Sequence, residues 1–360
     1  MTTNTPIPFF VRSQLARLTM IVGIAAFAGT AGAETFICVS TSAELQQALT
    51  DASDGGTYAG TDVSINIVRG TYKTGAATGN GPFSYHSTAA TGGLYILGGL
   101  KTGCVESVED ATLTVLDGNN TTQVLNIQNA MGDVFVQYLT IQNGESATAG
   151  GGVAVNTTTS GGRVYLYYDI IQNNHTASIG GGFSIDSAGD QMAVANSLVV
   201  GNAADGNYGA GFEYSRSSEE GILQSNTVYK NTTTASGGTG GVYCCGPGSQ
   251  AYISANILWQ NTNYGLFLEG SLISVNYNDY GATNGMPGSG TLNFDTDPKF
   301  VNAADGDYRL AADSTLIGAY PLSAGELLSV DLAGDAYPFS GFADIGAYED
   351  TVFKDGFEGE

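Results

Sequence analysis

The chain has 360 residues, with 34 acidic residues against 11 basic ones and a formal net charge of −23. That balance excludes nucleic acid as a partner, because phosphates demand Lys and Arg, and it opposes tight association with anionic membranes. Only 12% of residues are charged while 42% are hydrophobic, which indicates tightly turned β-structure rather than disorder.

Residues 1–33 read as a signal peptide. Arg12 and Arg17 form its basic region, Leu18 to Ala28 its apolar stretch, and Ala31-Gly32-Ala33 a small-residue cleavage motif before Glu34. The apolar stretch is too short to span a bilayer, and no later segment qualifies as transmembrane. Cleavage leaves nine basic residues against 34 acidic ones, a net charge near −25.

Residues 34–110 form an N-terminal cap and first coils. Thr41-Ser42-Ala43-Glu44 fits a capping box, with Thr41 accepting and Glu44 reaching back. Leu45, Ala48 and Leu49 follow at helical spacing, predicting a short helix across the open end of a core. The strand phrase Ile65 to Tyr72 then starts the first coil. Cys38 and Cys104 flank this cap and are expected to pair in an exported chain.

Residues 111–300 repeat. Asn143, Asn173, Asn202, Asn231 and Asn261 recur at intervals of 30, 29, 29 and 30. Each ends an apolar phrase and is followed by a Gly-rich stretch and a second short run beginning at Val153, Phe183, Phe212, Val242 or Leu266. Alternation points Val153/Val155, Phe183/Ile185, Phe212/Tyr214, Val242/Cys244 and Leu266/Leu268 inward. Their neighbours Asn156, Asp186, Glu213, Tyr243, Cys245, Phe267 and Glu269 point outward. A period near 30 with several short strands describes an all-β solenoid, a parallel β-helix. About eight coils at ~4.8 Å give a rod on the order of 40 Å long, whose ends need covering. The recurrent Asn residues suit left-handed corners and amide ladders along the rod. Adjacent Cys244 and Cys245 leave three alternatives open: two thiols, a bridge to each other, or another partner.

The phrases Val136 to Gly144 and Thr114 to Asn119 resemble repeats of the pectin-lyase-like superfamily, which implies a right-handed parallel β-helix. Asp297-Pro298-Lys299-Phe300, Asp305 to Leu310, Asp331 to Gly334 and Asp344 to Glu349 resemble the choice-of-anchor Q terminal region of secreted or surface β-helix proteins. Residues 301–350 are assigned to that region and 351–360 to a terminal tail. The tail is similar to a tag on exported proteins of some Gram-negative bacteria, implying a secreted or cell-surface location in such an organism.

Candidate chemistry is sparse. Glycoside hydrolysis needs two carboxyl groups flanking a bond, and Asp186 with Glu213 on adjacent coils is the available pair. A lyase needs a base beside carboxylates, for which Arg216 and Lys230 are candidates. His175, in a turn, is the remaining catalytic candidate, although a turn histidine is ordinarily solvated. The aromatic residues Tyr165, Tyr167, Tyr243 and Phe267 are expected to be exposed and to stack on sugars. Asp295, Asp297, Asp305 and Asp307 are candidates for calcium, lacking the twelve-residue loop pattern. The leading expectation is a secreted or surface β-helix protein binding polysaccharide or extracellular matrix. The alternatives are a polysaccharide lyase or glycoside hydrolase, and a structural or adhesive surface protein.

Overall fold

The structure is a computed structural model. It describes residues 34–89, 91–129, 132–157, 162–187, 191–215, 220–246, 249–269, 272–285, 292–324, 328–338 and 341–349. Residues 1–33, read above as a signal peptide, residues 351–360, read as a terminal tail, and Arg216 lie outside the described residues.

Parallel sheets wind into a β-solenoid of about 7 turns with roughly 29 residues per turn, one fewer than the eight expected. One coil serves for all. Arg163–Tyr167 lies on face 1, Ile170–Gln172 on face 2, the short His175–Thr176 on a fourth ladder, and Phe183–Ser187 on face 3. Among the described residues face 1 has nine strands, from Thr35–Val39 to Leu272–Asn276, and faces 2 and 3 have eight each. Register is regular: Val153 pairs Phe183, Phe183 pairs Phe212, and Phe212 pairs Val242. The inward residues Val153, Phe183, Phe212, Val242 and Leu266 are all 0–1% exposed, so the alternating pattern marks the core correctly.

The corners follow from backbone chemistry. Between faces 1 and 2 the chain turns on a single left-handed residue, Tyr138, Tyr168, Asn196, Ser225, Ala255 or Tyr277, each with φ between 50° and 59°. Such a residue costs of order 1–2 kcal/mol when it bears a Cβ. The next residue offsets this by satisfying backbone of neighbouring coils. Asn226 Oδ1 accepts from Ser197 N at 3.1 Å, while Asn226 Nδ2 donates to Val194 O at 2.8 Å and to Asn256 Oδ1 at 2.9 Å. Asn256, Asn278 and Asn293 continue this ladder. A second ladder at the far end of face 2 runs through Asn174, Asn202, Asn231 and Asn261, each Nδ2 bonding the next Oδ1 at 3.0 Å.

The periodic asparagines are therefore of two kinds. Asn202, Asn231 and Asn261 stand in the ladder. Asn143 (φ 55°) and Asn173 (φ 54°) are the left-handed corner residues one position earlier, and Asn174 takes the ladder place. Glycine makes the turn into face 3. A Cβ on Gly182 would overlap the carbonyl oxygen of Gly211, and one on Gly152 that of Gly182.

The ends are covered differently. Helix α1, Ser42–Ala52, buries Leu45, Ala48, Leu49 and Ala52 on the core. Each of the two leucines contributes roughly 1.5–3 kcal/mol by burial. Thr41 Oγ1 accepts from Glu44 N at 3.2 Å, but Glu44 reaches past Thr41 to Ser40, accepting from its N and Oγ at 2.8 and 2.9 Å. Those bonds hold the Glu44 carboxyl below its ordinary range. Gln46 bonds both Ser84 N and Ser84 O, so the helix satisfies the edge strand Phe83–Ser87 that would otherwise recruit another chain. The first coil begins earlier than expected, at the strand Thr35–Val39, which pairs with Val63–Val68. Cys38 and Cys104 are disulfide-bonded, 66 positions apart in sequence and with Cα atoms 5.8 Å apart. Closing such a loop stabilises by about 4 kcal/mol in the chain-entropy picture. Cys244 and Cys245 are bonded to each other, and both are buried in the core, so Cys245 does not face outward as expected.

The C-terminal segment 298–349 packs along the outside of the corner between faces 1 and 2. Phe300 and Tyr308 meet Tyr229 edge-on at 5.2 and 5.6 Å, and Tyr320 meets Tyr277 at 5.6 Å. Main-chain bonds fasten it, from Gly346 N to Ala255 O at 2.8 Å and from Ala347 N to Thr227 Oγ1 at 3.1 Å. Asp331 folds it upon itself, accepting from Ala333 N, Asp335 N and Glu349 N at 2.7–2.9 Å. Burial pushes the Asp331 carboxyl up to about 6, against the pull of these bonds.

Candidate functional site

Face 3 places its outward residues in two columns. One runs Ser84, Asn126, Ala154, Ser184, Glu213, Tyr243, Phe267 and Asn284. The other runs His86, Gln128, Asn156 and Asp186. The first column ends in an aromatic cluster. Tyr208, from the loop that precedes the strand Phe212–Ser215, lies 4.4 Å from Tyr243 and 6.0 Å from Phe267, and Tyr243 lies 5.4 Å from Phe267. Tyr243 donates its hydroxyl to Glu269 at 2.6 Å. Burial, then the Glu269 hydrogen bond and charge, push that hydroxyl far above its ordinary range, so it remains a donor. Tyr243 is only 6% exposed, whereas Tyr208 and Phe267 are half-buried and present ring surface to solvent. Tyr208 escaped sequence reasoning because it sits in Asp205-Gly206-Asn207-Tyr208-Gly209, which carries no alternation.

The two carboxylates are diagonal neighbours, since Asp186 pairs with Ser215 and Glu213 with Ser184. Asp186 accepts from Asn156 Nδ2 at 3.2 Å. Glu213 is 2% exposed and accepts from the Ser184 hydroxyl. The position expected to be open to solvent is thus closed. A carboxyl so enclosed does not reach a glycosidic bond on a polymer lying over the face.

The other candidates lie elsewhere. Lys230 is the left-handed corner residue after face 2 (φ 52°), with Nζ 5.1 Å from the Tyr229 ring centroid. That corner is not on face 3, so Lys230 does not join Asp186. His175 lies on the fourth ladder between two acids, with Nδ1 2.8 Å from Glu145 and Nε2 3.6 Å from Asp205. The Glu145 hydrogen bond, opposed by desolvation and helped by both charges, raises the imidazole above its ordinary range. It clamps successive coils.

Tyr165 and Tyr167 point outward from face 1 yet are 4% and 2% exposed, which corrects the expectation of exposed sugar platforms. Tyr165 packs at a tilt against Phe135, ring centroids 4.6 Å apart, and donates to Gln191 Oε1 at 2.7 Å. Both tyrosines belong to an apolar layer that includes Leu332 and Ala347 of the C-terminal segment.

Of the four aspartates proposed for calcium, Asp295 and Asp297 lie near enough to Asp279 to act on its carboxyl, and three make local contacts. Asp297 accepts from Lys299 N at 3.0 Å, Asp305 from Asn302 Nδ2 at 2.7 Å, and Asp307 pairs with Arg309 at 2.6 Å. Among the described residues no group of three or more His, Cys, Asp or Glu side chains is arranged to hold a metal ion. Asp279 was missed. It is fully buried and bonded to Thr296 N at 3.0 Å, and burial together with Asp295 and Asp297 pushes it up to about 7.

Asp169 was missed too. It occupies the asparagine position in the first ladder, where Oδ1 accepts from Leu139 N at 3.0 Å and Oδ2 is buried without a hydrogen-bond partner. Burial pushes this carboxyl far above its ordinary range, and the Leu139 bond offsets only part of that.

No family model matches this chain, and no curated protein matches it. Among the described residues no helix is long and apolar enough to cross a membrane.

Proposed function

We propose that this protein is exported, is secreted or held at the cell surface, and binds carbohydrate or extracellular matrix along face 3. The observation that supports the reading is the cluster of Tyr208, Tyr243 and Phe267 beside Glu269 on an otherwise polar, regular sheet surface. Aromatic rings offer flat apolar faces to the C–H faces of sugars, and the flanking Ser, Asn and acid groups exchange hydrogen bonds with hydroxyls. An extended sheet surface suits an extended polymer. The repeat phrases and the C-terminal motifs, which resemble the pectin-lyase-like superfamily and the choice-of-anchor Q region, agree with this reading.

Affinity electrophoresis of the mature chain (34–360) through gels carrying a polysaccharide panel tests it. One or more polymers are expected to retard the protein, and Tyr208→Ala with Phe267→Ala should abolish retardation while circular dichroism stays unchanged. Undiminished retardation of the double variant would remove face 3 from the proposal. Reducing ends or unsaturated product released during the run, and lost in Asp186→Asn, would establish the lyase or hydrolase alternative instead.

A further inference from the structure

A cavity of about 470 Å³ opens between helix α1, the loop that follows it and the strand Phe83–Ser87, the first of face 3. Its size is that of a small-molecule site, yet sites of that size are ordinarily lined by apolar groups. Here the lining is polar: Thr50 and Asp51 from the helix, Asp54 and Thr57 from the loop, Ser84 and His86 from the strand. Ser84 and His86 also begin the two outward columns of face 3. Hydrogen bonds tie the walls together. Gln46 holds both Ser84 N and Ser84 O, Ser53 Oγ accepts from His86 N at 3.0 Å, and Asp54 N donates to His86 O at 2.9 Å. The loop turns tightly at Gly56, where a Cβ would overlap the carbonyl oxygen of Asp51. Walls held in this way form the site before a ligand arrives, which lowers the cost of binding.

The imidazole in this cavity is oriented. His86 Nδ1 lies 3.3 Å from Asp54 Oδ2, and Asp54 in turn accepts from Thr88 N and Oγ1 at 2.9 and 2.7 Å. A carboxylate only accepts, so the Nδ1 that faces it carries the proton. Nε2 is then an acceptor on the neutral ring and a donor on the charged one, and the side chain is 59% exposed. Asp51 Oδ1 accepts from Gln47 Nε2 at 2.9 Å, which leaves Oδ2 as an acceptor. The Thr57 hydroxyl both donates and accepts, and Ser84 Oγ, which donates to Pro82 O at 3.2 Å, still accepts. A lining that mixes donors and acceptors matches a ligand whose own groups do both. Hydroxyls do; a cation engages acceptors alone, and a phosphate or carboxylate donors alone. We infer that this cavity is a binding subsite for one uncharged sugar unit, whose hydroxyls bond His86 Nε2, Asp51 Oδ2 and Thr57 Oγ1. It lies five strand steps along face 3 from Tyr243, on the order of 24 Å, so it is separate from the aromatic cluster and does not depend on it.

The test uses the mature chain (34–360) and NMR of its imidazoles, because the sequence holds two histidines, His86 and His175. The two ring signals are assigned by their loss in His86→Gln and His175→Gln. Glucose, galactose, mannose, xylose and their linear oligomers are the probes. At least one is expected to shift the His86 signal saturably and to leave that of His175, on the fourth ladder, unmoved. Asp51→Ala should weaken the titration about tenfold and Thr57→Val about threefold, each the loss of one ligand hydrogen bond, with circular dichroism unchanged. Tyr208→Ala with Phe267→Ala should not alter it. No shift of the His86 signal by any sugar, while polysaccharide gels still retard the chain, would overturn this inference and leave the binding reading standing. A shift produced by calcium or an ammonium compound and by no sugar would overturn it too. So would equal movement of both histidine signals, or a shift that Asp51→Ala and Thr57→Val leave unchanged, since neither reports this cavity. No shift and no retardation would overturn this inference and the reading above together.

Discussion

Phe135, Tyr165 and Tyr167 of face 1 and Phe267 of face 3 are outward aromatics of the same sequence character, and the molecule treats them oppositely, while Tyr252 of face 1 is 36% exposed and Tyr243 of face 3 only 6%. On face 1, Phe135, Tyr165 and Tyr167 are 2–6% exposed, beneath a layer that includes Leu332 and Ala347 from the C-terminal segment. On face 3, Tyr208 and Phe267 stay partly open, next to polar columns. Alternation within a strand says which side of the sheet a residue takes. It does not say whether that side meets water, because another part of the chain decides that.

The largest test of the contrast is Tyr167→Ala. Removing a 2% exposed tyrosine from a packed layer should cost about 3–5 kcal/mol, read as a lowered urea midpoint. A midpoint like that of the wild type would mean that the covering segment does not rest on face 1.

Asp169 sharpens the same contrast at the corner that this segment overlies. Its folded pKa is raised, so the folded state keeps the proton that the unfolded chain releases above about pH 3.9. Stability from this group is complete at acid pH and is lost as pH rises. Asp169→Asn has no proton to release and can donate along the ladder. The variant should gain about 1–3 kcal/mol over the wild type near neutral pH, the cost of one buried unsatisfied polar atom, with the gain shrinking below about pH 4. Parallel stability-versus-pH curves for the two proteins would sink this account. Asp331, pushed up to about 6, and Asp279, up to about 7, act in the same direction.

The smallest effect belongs to the open side. His175 has a raised pKa, so its clamp on Glu145 and Asp205 is fully present below about pH 6.5 and lost as pH rises through the higher folded value. The imidazole is 37% exposed, so His175→Gln should cost only about 0.2–1 kcal/mol at acid pH and nothing measurable in alkali. A loss of equal size at high pH would show that packing, not charge, holds this ladder.

Much of the scaffold was legible because its signals are local and periodic. Val153, Phe183, Phe212 and Val242 are core residues in the structure as in the pattern. The α1 helix was legible for the same reason, and the Cys38–Cys104 pair because the two cysteines flank the cap. The asparagine period was legible but slipped by one in two coils, where Asn143 and Asn173 turn the corner and Asn174 takes the ladder. The first ladder, through Asn226, Asn256 and Asn278, was not seen, because the flanking Ser197 and Asp169 break its uniformity. The candidate site was legible only in part. Tyr243 and Phe267 lie where alternation puts them, while Tyr208 comes to them from a loop two coils' register could not reveal.

By itself the sequence determined the repeat length, the inward column of the face 3 strands from Val153 to Leu266 and the helical cover at the N-terminal end. These rest on spacing, and spacing is a property of the chain. Only the tertiary structure decided which outward residues meet solvent. Glu213 and Tyr165 left the surface, Tyr208 joined the aromatic cluster, and Asp169 was enclosed in a ladder built for amides. The reason is that burial of an outward side chain depends on segments far away in sequence, such as the returning C-terminal residues Leu332 and Ala347 over face 1, whose positions no local period encodes.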